Sequence, residues 1–235
     1  MSRDWREVVY DERRWRILEL KRSKAREVME CLAKCGYRSA VVHGSVARGD
    51  VDEGSDVDVS LLHPVPVSLV ELCLERCGFR VYRAVLVQPT PVHSPKVYLY
   101  LDPDEERVVS VPLVELSPVE KEFYRFSGCL TLEQLLRNER VPGVDKRLML
   151  VIPTERGHRE LPVVGNEGFV ARVLGVSIQV VLDRVRALTR RVEEGHTGLF
   201  IEVEVPAGQS VEEVVRDLCR DNRLFRQRVS SYGLC

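Results

Sequence analysis

Apolar residues recur at helical spacing between Trp15 and Cys35, at Leu18, Ala25, Val28, Met29 and Leu32, and Gly36 supplies a stop. A short apolar run, Ser39 to His43, reads as a strand that enters Gly44-Ser45. Ser45 to Gly49 fits one helical turn, and Val57 to Leu62 a second strand. "VSLVELCLERCGF", Val67 to Phe79, is amphipathic and again ends at a glycine. Three β-rich runs follow, Arg80–Val87, Lys96–Leu101 and Arg107–Val111, the last two joined by the turn-forming "DPDEE". The pattern predicts an α/β (α+β) unit: a mixed sheet with flanking helices, ending near Leu116.

Beyond it, Ser117-Pro118 marks a helix start with proline at the first helical position. Thr131 marks another, with Gln134 placed to complete a capping box. Arg147–Ile152 reads as a strand and "PTERGHRE" as a polar loop. In Asn166–Arg191, Ala171, Gly175 and Val181 stand at the A-x3-G-x5-V spacing of a helix-turn-helix, with Ser177 as N-cap of the second helix. Ile178, Val181, Leu182, Val185 and Leu188 form the apolar stripe of that helix. Gln179, Arg184, Arg186, Arg190 and Arg191 lie off it and could face nucleic acid. "EEGHTG" leading into "LFIEVEVP" would then be a wing, and Ser210 with Glu213 caps a last helix. The expected division is an α/β domain over 16–116, a helical connector over 117–145 and a winged-helix-like domain over 146–235.

Composition changes this picture little. With 44% apolar and 30% charged residues the chain reads as a soluble globular protein. No apolar run reaches the roughly 20 residues of a membrane span, and the N-terminal residues lack a signal-peptide core, so a cytoplasmic, membrane-free protein is expected. A net charge of −1 argues neither for nor against nucleic acid. Over 146–235 there are 14 Lys/Arg against 12 Asp/Glu, a surplus of two that leaves a thin electrostatic footprint. Seven cysteines include two i,i+4 pairs, Cys31/Cys35 and Cys73/Cys77, each on one helix face. Buried small side chains account for them best. A structural zinc or a redox disulfide has no CxxC or neighbouring histidine behind it. Nothing in the sequence decides for or against a homodimer.

The chemistry concentrates in "VVHGSVARGDVDEGSDVDVSLL", Val41 to Leu62. A glycine at a strand-to-helix junction lets backbone approach a polyphosphate, with free N–H groups and a serine hydroxyl as donors. Asp56 and Asp58 share one face, because strand side chains alternate with period two. Two such carboxylates repel each other unless a cation lies between them, and Mg²⁺ held together with substrate phosphates is the usual solution. A turn cap at Asp56 and an exposed Asp58 would explain the acids alone, but not the upstream Gly-Ser and Arg-Gly.

This stretch resembles the signature of the DNA polymerase β-type nucleotidyltransferase superfamily, most closely its small prokaryotic members. The resemblance implies that Gly44, Ser45, Arg48 and Ser55 hold a nucleoside triphosphate, and that Asp56 and Asp58 ligate Mg²⁺, as one ion or two. It implies transfer of a nucleoside monophosphate to a hydroxyl acceptor with release of pyrophosphate. The superfamily adds a third carboxylate from a later strand, yet "RVVSVP" (Arg107–Pro112) holds no acid. Asp102 is the substitute candidate, among Asp104, Glu105, Glu106 and Glu115. His43 is either a packed strand end or a neighbour of phosphate or metal. The gap keeps an alternative open: a nucleotide-sensing, nucleic-acid-binding regulator with a degenerate transferase site.

Overall fold

The computed structural model describes residues 5–194 and 198–235, without the side chains of 190–194. The chain runs through β1 (Arg6–Val9), α1 (Glu12–Lys34), β2 (Val41–His43), α2 (Ser45–Arg48), β3 (Val57–Ser60) and α3 (Val67–Arg76). The meander β4 (Arg83–Gln88), β5 (Lys96–Tyr100) and β6 (Arg107–Pro112) follows. Then come α4 (Pro118–Ser127), β7 (Cys129–Thr131), α5 (Leu132–Leu136), β8 (Gly143–Val144), β9 (Met149–Thr154) and β10 (Gly157–Pro162). The chain closes with α6 (Glu167–Leu174), α7 (Ile178–Glu194), β11 (Ile201–Glu204), α8 (Val211–Asp221) and α9 (Arg223–Val229).

Local signals set most helix starts. Asp11 accepts from the Arg14 N–H at 2.8 Å to begin α1. Full capping boxes, Ser117/Glu120 and Thr131/Gln134, begin α4 and α5, and Ser210/Glu213 begins α8. The strands form a mixed seven-stranded sheet, β11-β4-β5-β6-β3-β2-β7, in which β3 and β6 run parallel. Its core packs Leu32 of α1 and Leu74 of α3 against Val59, Leu99 and Val109 of the sheet. A second sheet, β1-β10-β9-β8, packs with α6 and α7 around Leu150, Leu161, Val170 and Val181. Among the described residues no helix is long and apolar enough to cross a membrane.

Four expectations need correction. The polar stretch "GHRE" is not a loop but most of β10, paired on one side with β9 and on the other with β1. Two of its polar side chains are inside: His158 and Glu160 are 2% and 1% exposed. The expected wing is not beside α7. Residues 201–204 pair antiparallel with β4 and cover that edge of the large sheet. Val211, Val215, Phe225 and Val229 then pack into the first core, so 146–235 does not form one winged-helix domain. Ile178, placed on the apolar stripe of α7, is 45% exposed, whereas Val181 of the same stripe is buried and Val180, off it, is buried as well. Six of the seven cysteines are not single small side chains: Cys31–Cys77 and Cys35–Cys73 bridge α1 to α3, and Cys219–Cys235 ties α8 to the last residue, while Cys129 is free. Of the helix-turn-helix reading, the two helices are present, with Gly175 in a left-handed conformation after α6. Part of "EEGHTG" (195–197) lies outside the described residues.

The packing of β11 gives a direct test. Ile201 is 5% exposed in the first core, so Ile201→Ala is expected to lower the unfolding free energy by about 2–5 kcal/mol in urea titration. A solvent-facing wing would tolerate the change to within about 0.5 kcal/mol.

Candidate functional site

β2 carries Val41 and Val42 into the core and delivers His43 and Gly44 to the rim of a cleft. Gly44 turns with φ +76°, a conformation that strains any residue with a Cβ, and its N–H donates to the Gly128 carbonyl at 2.9 Å. The single turn of α2 follows, and no side chain caps it. Gly49 then reverses the chain into the loop that leads to Asp56 and β3.

This loop is gripped from α1. Arg22 donates to the carbonyls of Val46 (3.2 Å) and Ala47 (3.4 Å) at the end of α2. Arg14 donates to the carbonyls of Asp50 (3.0 Å) and Val51 (3.1 Å). Lys21 reaches the carbonyls of Glu53 (3.2 Å) and Ser55 (2.6 Å) and pairs with Glu106 at 2.7 Å. Lys24 pairs with the other Glu106 oxygen. Lys21 and Arg22 are 5% and 3% exposed, and burial pushes the Arg22 guanidinium down to about 10. Sequence reasoning missed these residues. Their signal was their position, since 21 and 22 fall on the same helix face as Leu18, Ala25 and Val28.

Arg48 and Ser55 are positioned but occupied. Arg48 forms a bidentate pair with Asp50, at 3.0 Å for each contact, and donates to the carbonyls of Ser127 (2.6 Å) and Val144 (3.3 Å). It thereby ties α2 to the end of α4 and to β8. A Cβ on Gly128 would stand 2.8 Å from the Arg48 Cγ, which requires glycine there. The Ser55 hydroxyl accepts from the Asp52 N–H (2.9 Å) and meets the Asp52 carboxylate at 3.1 Å, closing the turn before Asp56.

The cleft has a volume of about 580 Å³. One wall is Gly44, Ser45, Asp56 and Asp58; the other comes from the small sheet, with Lys146 and His158 among its residues. Six acids line it: Asp50, Asp52, Asp56, Asp58, Asp145 and Glu160. Four are engaged. Asp50 holds Arg48, Asp52 holds Ser55, and Asp145 and Glu160 share Arg147 at 2.7 and 2.8 Å. Among the described residues the carboxylates of Asp56 and Asp58 meet no hydrogen-bond donor and no ion-pair partner. Partial burial pushes the Asp56 carboxyl up, and the neighbouring Asp58 pushes it further, against the pull of Lys146 and Lys21. Val57 and Val59 are buried on the opposite face of β3, which turns Asp58 away from the core.

The parallel register places Val108 across from Asp58 and Ser110 across from Ser60, so β6 brings no third carboxylate. Asp102 does not fill that place. Arg107 binds it through both side-chain oxygens, with contacts of 2.5 to 3.1 Å, and it is not among the cleft-lining residues. The Arg107 hydrogen bonds hold the Asp102 carboxyl below the usual range against some desolvation. His43, for which the sequence left two readings open, lies at the cleft. It is the cross-strand partner of Asp58, lines the cleft and packs edge-on against Tyr124. The Ser60 hydroxyl links the His43 Nε2 (3.0 Å) to the Ser110 hydroxyl (2.6 Å). Desolvation pushes the imidazole below the ordinary histidine range, although Asp58 opposes the shift. Across the cleft, Tyr10 and the His158 Nδ1 lie 2.6 Å apart, and burial raises the Tyr10 hydroxyl to about 12.

Three of the proposed nucleic-acid residues have described side chains, and each has a partner within the chain. Gln179 bonds to Asp183 at 2.7 Å, and Arg186 pairs with the same carboxylate at 3.6 Å. Arg184 lies over the Phe123 ring at 4.7 Å and lines the cleft. The side chains of Arg190 and Arg191 lie outside the described residues.

The mixed sheet thus offers an open Gly-Ser turn and two aspartates, unpaired among the described residues, to one cleft. Residues 22–127 match the family model described as "Nucleotidyltransferase domain". No curated protein and no solved structure gives a significant match.

Two stability tests follow from the pairings. Arg48→Met leaves Asp50 without its partner, so a loss of about 3–5 kcal/mol is expected in urea titration without nucleotide. A residue that served phosphate alone would leave that titration unchanged. Asp102→Asn is expected to cost about 1.5–3 kcal/mol at pH 7. The folded carboxyl titrates below its unfolded value of about 3.9. The stability is therefore fully present above that value and is lost as pH falls through the folded one, so wild type and variant should converge in acid.

Proposed function

We propose that the chain transfers a nucleoside monophosphate from an NTP to a hydroxyl acceptor and releases pyrophosphate, with Asp56 and Asp58 as ligands for Mg²⁺. One observation carries this reading: of six acids in the cleft, these two alone lack a protein partner among the described residues. Their donor set fits the ion, because Mg²⁺ takes one or two carboxylates and completes its shell with phosphate oxygens and water. When bound, it neutralises charge on the triphosphate and on the attacking oxygen.

The remaining roles belong to the chain. The backbone at Gly44, open for want of a Cβ, and the uncapped first turn of α2 with the Ser45 hydroxyl supply donors for phosphate oxygens. Arg48 and Ser55 act by positioning, Arg48 through Asp50 and Ser55 through the Asp52 turn. The acceptor oxygen bonds to the α-phosphorus as the α–β bridge breaks, and its proton needs a base. His43 takes that part. Its imidazole is held neutral beside Asp58, in a site where β6 offers only Val108 and Ser110. The regulator reading finds less support, since Gln179 and Arg186 engage Asp183 and Arg184 packs on Phe123.

Incubation with labelled ATP, CTP, GTP and UTP, Mg²⁺, and RNA, protein and small-molecule acceptors tests the proposal. Transferred label is expected with at least one combination, abolished by chelator and reduced by roughly 10²–10³-fold in Asp56→Ala or Asp58→Ala. Asp102→Asn should retain most of the rate. His43→Ala should lower kcat by about 10²-fold at nearly constant KM for the nucleotide. A change confined to KM would move His43 from proton transfer to nucleotide binding.

A further inference from the structure

The last turns of α1 and α3 meet at four sulfurs. Cys31 lies in the last turn of α1 with Cys35 four residues on as its C-cap, and Cys73 and Cys77 hold the same places at the end of α3. In the oxidised chain they pair crosswise, Cys31 with Cys77 and Cys35 with Cys73, over Cα separations of 5.9 and 6.1 Å. The two bridges touch, with the Cys31 and Cys73 sulfurs 3.8 Å apart. The Cys31, Cys73 and Cys77 sulfurs all lie within 4.8 Å of one another.

We propose that this cluster, once reduced, is a metal site that holds one Zn²⁺ through four thiolates. The spacing is right for the ion. Zn–S bonds of about 2.3 Å in a tetrahedron set neighbouring sulfurs about 3.8 Å apart, and the Cys31–Cys73 contact already has that length. Two ligands at i and i+4 on one helix face can reach a single metal, as paired histidines do at this spacing. The site is half sheltered: Cys31 and Cys73 are 2% and 3% exposed, whereas Cys35 and Cys77 are open to solvent and give the ion a way in. Four thiolates around a divalent ion leave two negative charges. Lys34 and Arg76 sit in the same two last turns, each next in sequence to an exposed cysteine, and offset them. No histidine or CxxC announces the site, because each helix supplies only half of it.

The conversion balances as follows. A phosphine gives an electron pair to each disulfide and leaves as its oxide, while water supplies the oxygen and two protons, yielding two thiols per bridge. Zn²⁺ then displaces the four thiol protons. A cellular dithiol would perform the same reduction and become a disulfide itself.

The test uses the full chain, reduced with a phosphine and titrated without oxygen, first with Co²⁺ and then with Zn²⁺. The expected result is a thiolate-to-cobalt charge-transfer band with the visible bands of tetrahedral cobalt. They should saturate near one metal per chain, be bleached by Zn²⁺, and survive in Asp56→Ala/Asp58→Ala and in Cys129→Ser. They should be absent from the unreduced chain, a comparison that needs no variant to fold. They should also be absent from reduced Cys31→Ser/Cys73→Ser whose circular dichroism matches that of the reduced wild type. Reduced wild type without the thiolate band, or a band that persists in that double variant, would overturn the proposal. Equal bands in the reduced and unreduced chain would overturn it as well.

Discussion

The candidate site rests on a set of cations that α1 carries toward the protein interior. Arg14, Lys21 and Arg22 find acceptors in the backbone carbonyls of residues 46–55, and Lys21 pairs with Glu106 as well. The loop between α2 and β3 has no regular hydrogen-bonded structure, so it depends on α1 for its shape. A charge buried to within a few per cent of full cover is tolerable only with such partners. The dependence is mutual: α1 needs the loop to satisfy its cations, and the loop needs α1 to present Asp56 and Asp58.

The same logic sets the charge balance of the cleft. Arg48 neutralises Asp50 and joins α2 to α4 and β8. Arg147 neutralises Asp145 and Glu160 on the small sheet. With Asp50, Asp145 and Glu160 matched by arginines, uncompensated charge remains at Asp56 and Asp58, and the Asp56 carboxyl is raised first by burial and then by the repulsion of Asp58. A cation relieves that repulsion. The small sheet thus has a part in the site even though the matched family segment, 22–127, ends before it.

Much of this was legible along the chain because it is local. Capping boxes, glycine stops and the Gly-Ser to Asp-x-Asp spacing involve residues a few positions apart, and the structure has each of them in place. What stayed hidden was carried by partners far away in sequence. "GHRE" reads as a loop because its histidine and glutamate are polar. They are buried against Tyr10, Arg6 and Arg147, which no local pattern reveals. Residues 201–204 read as a wing because a strand does not name its neighbour, and here the neighbour is β4. Asp102 looked available, yet Arg107, five positions on, closes over it. Lys21 and Arg22 lie on the helix face of Leu18, Ala25 and Val28, and their role shows only through the distant carbonyls they meet. The i,i+4 cysteines aligned on each helix, but only the packing of α1 on α3 brings the two pairs together.

In the function proposed, Asp56, Asp58 and the Gly44-Ser45 turn form one metal and triphosphate site. A crystal structure of the chain with Mn²⁺ and a non-hydrolysable NTP analogue, phased to show anomalous scattering from manganese, tests it most directly. The account predicts a manganese peak bonded to carboxylate oxygens of Asp56 and Asp58, with the triphosphate against the backbone at Gly44 and Ser45. Manganese and nucleotide bound elsewhere, with both aspartates bare, would contradict it.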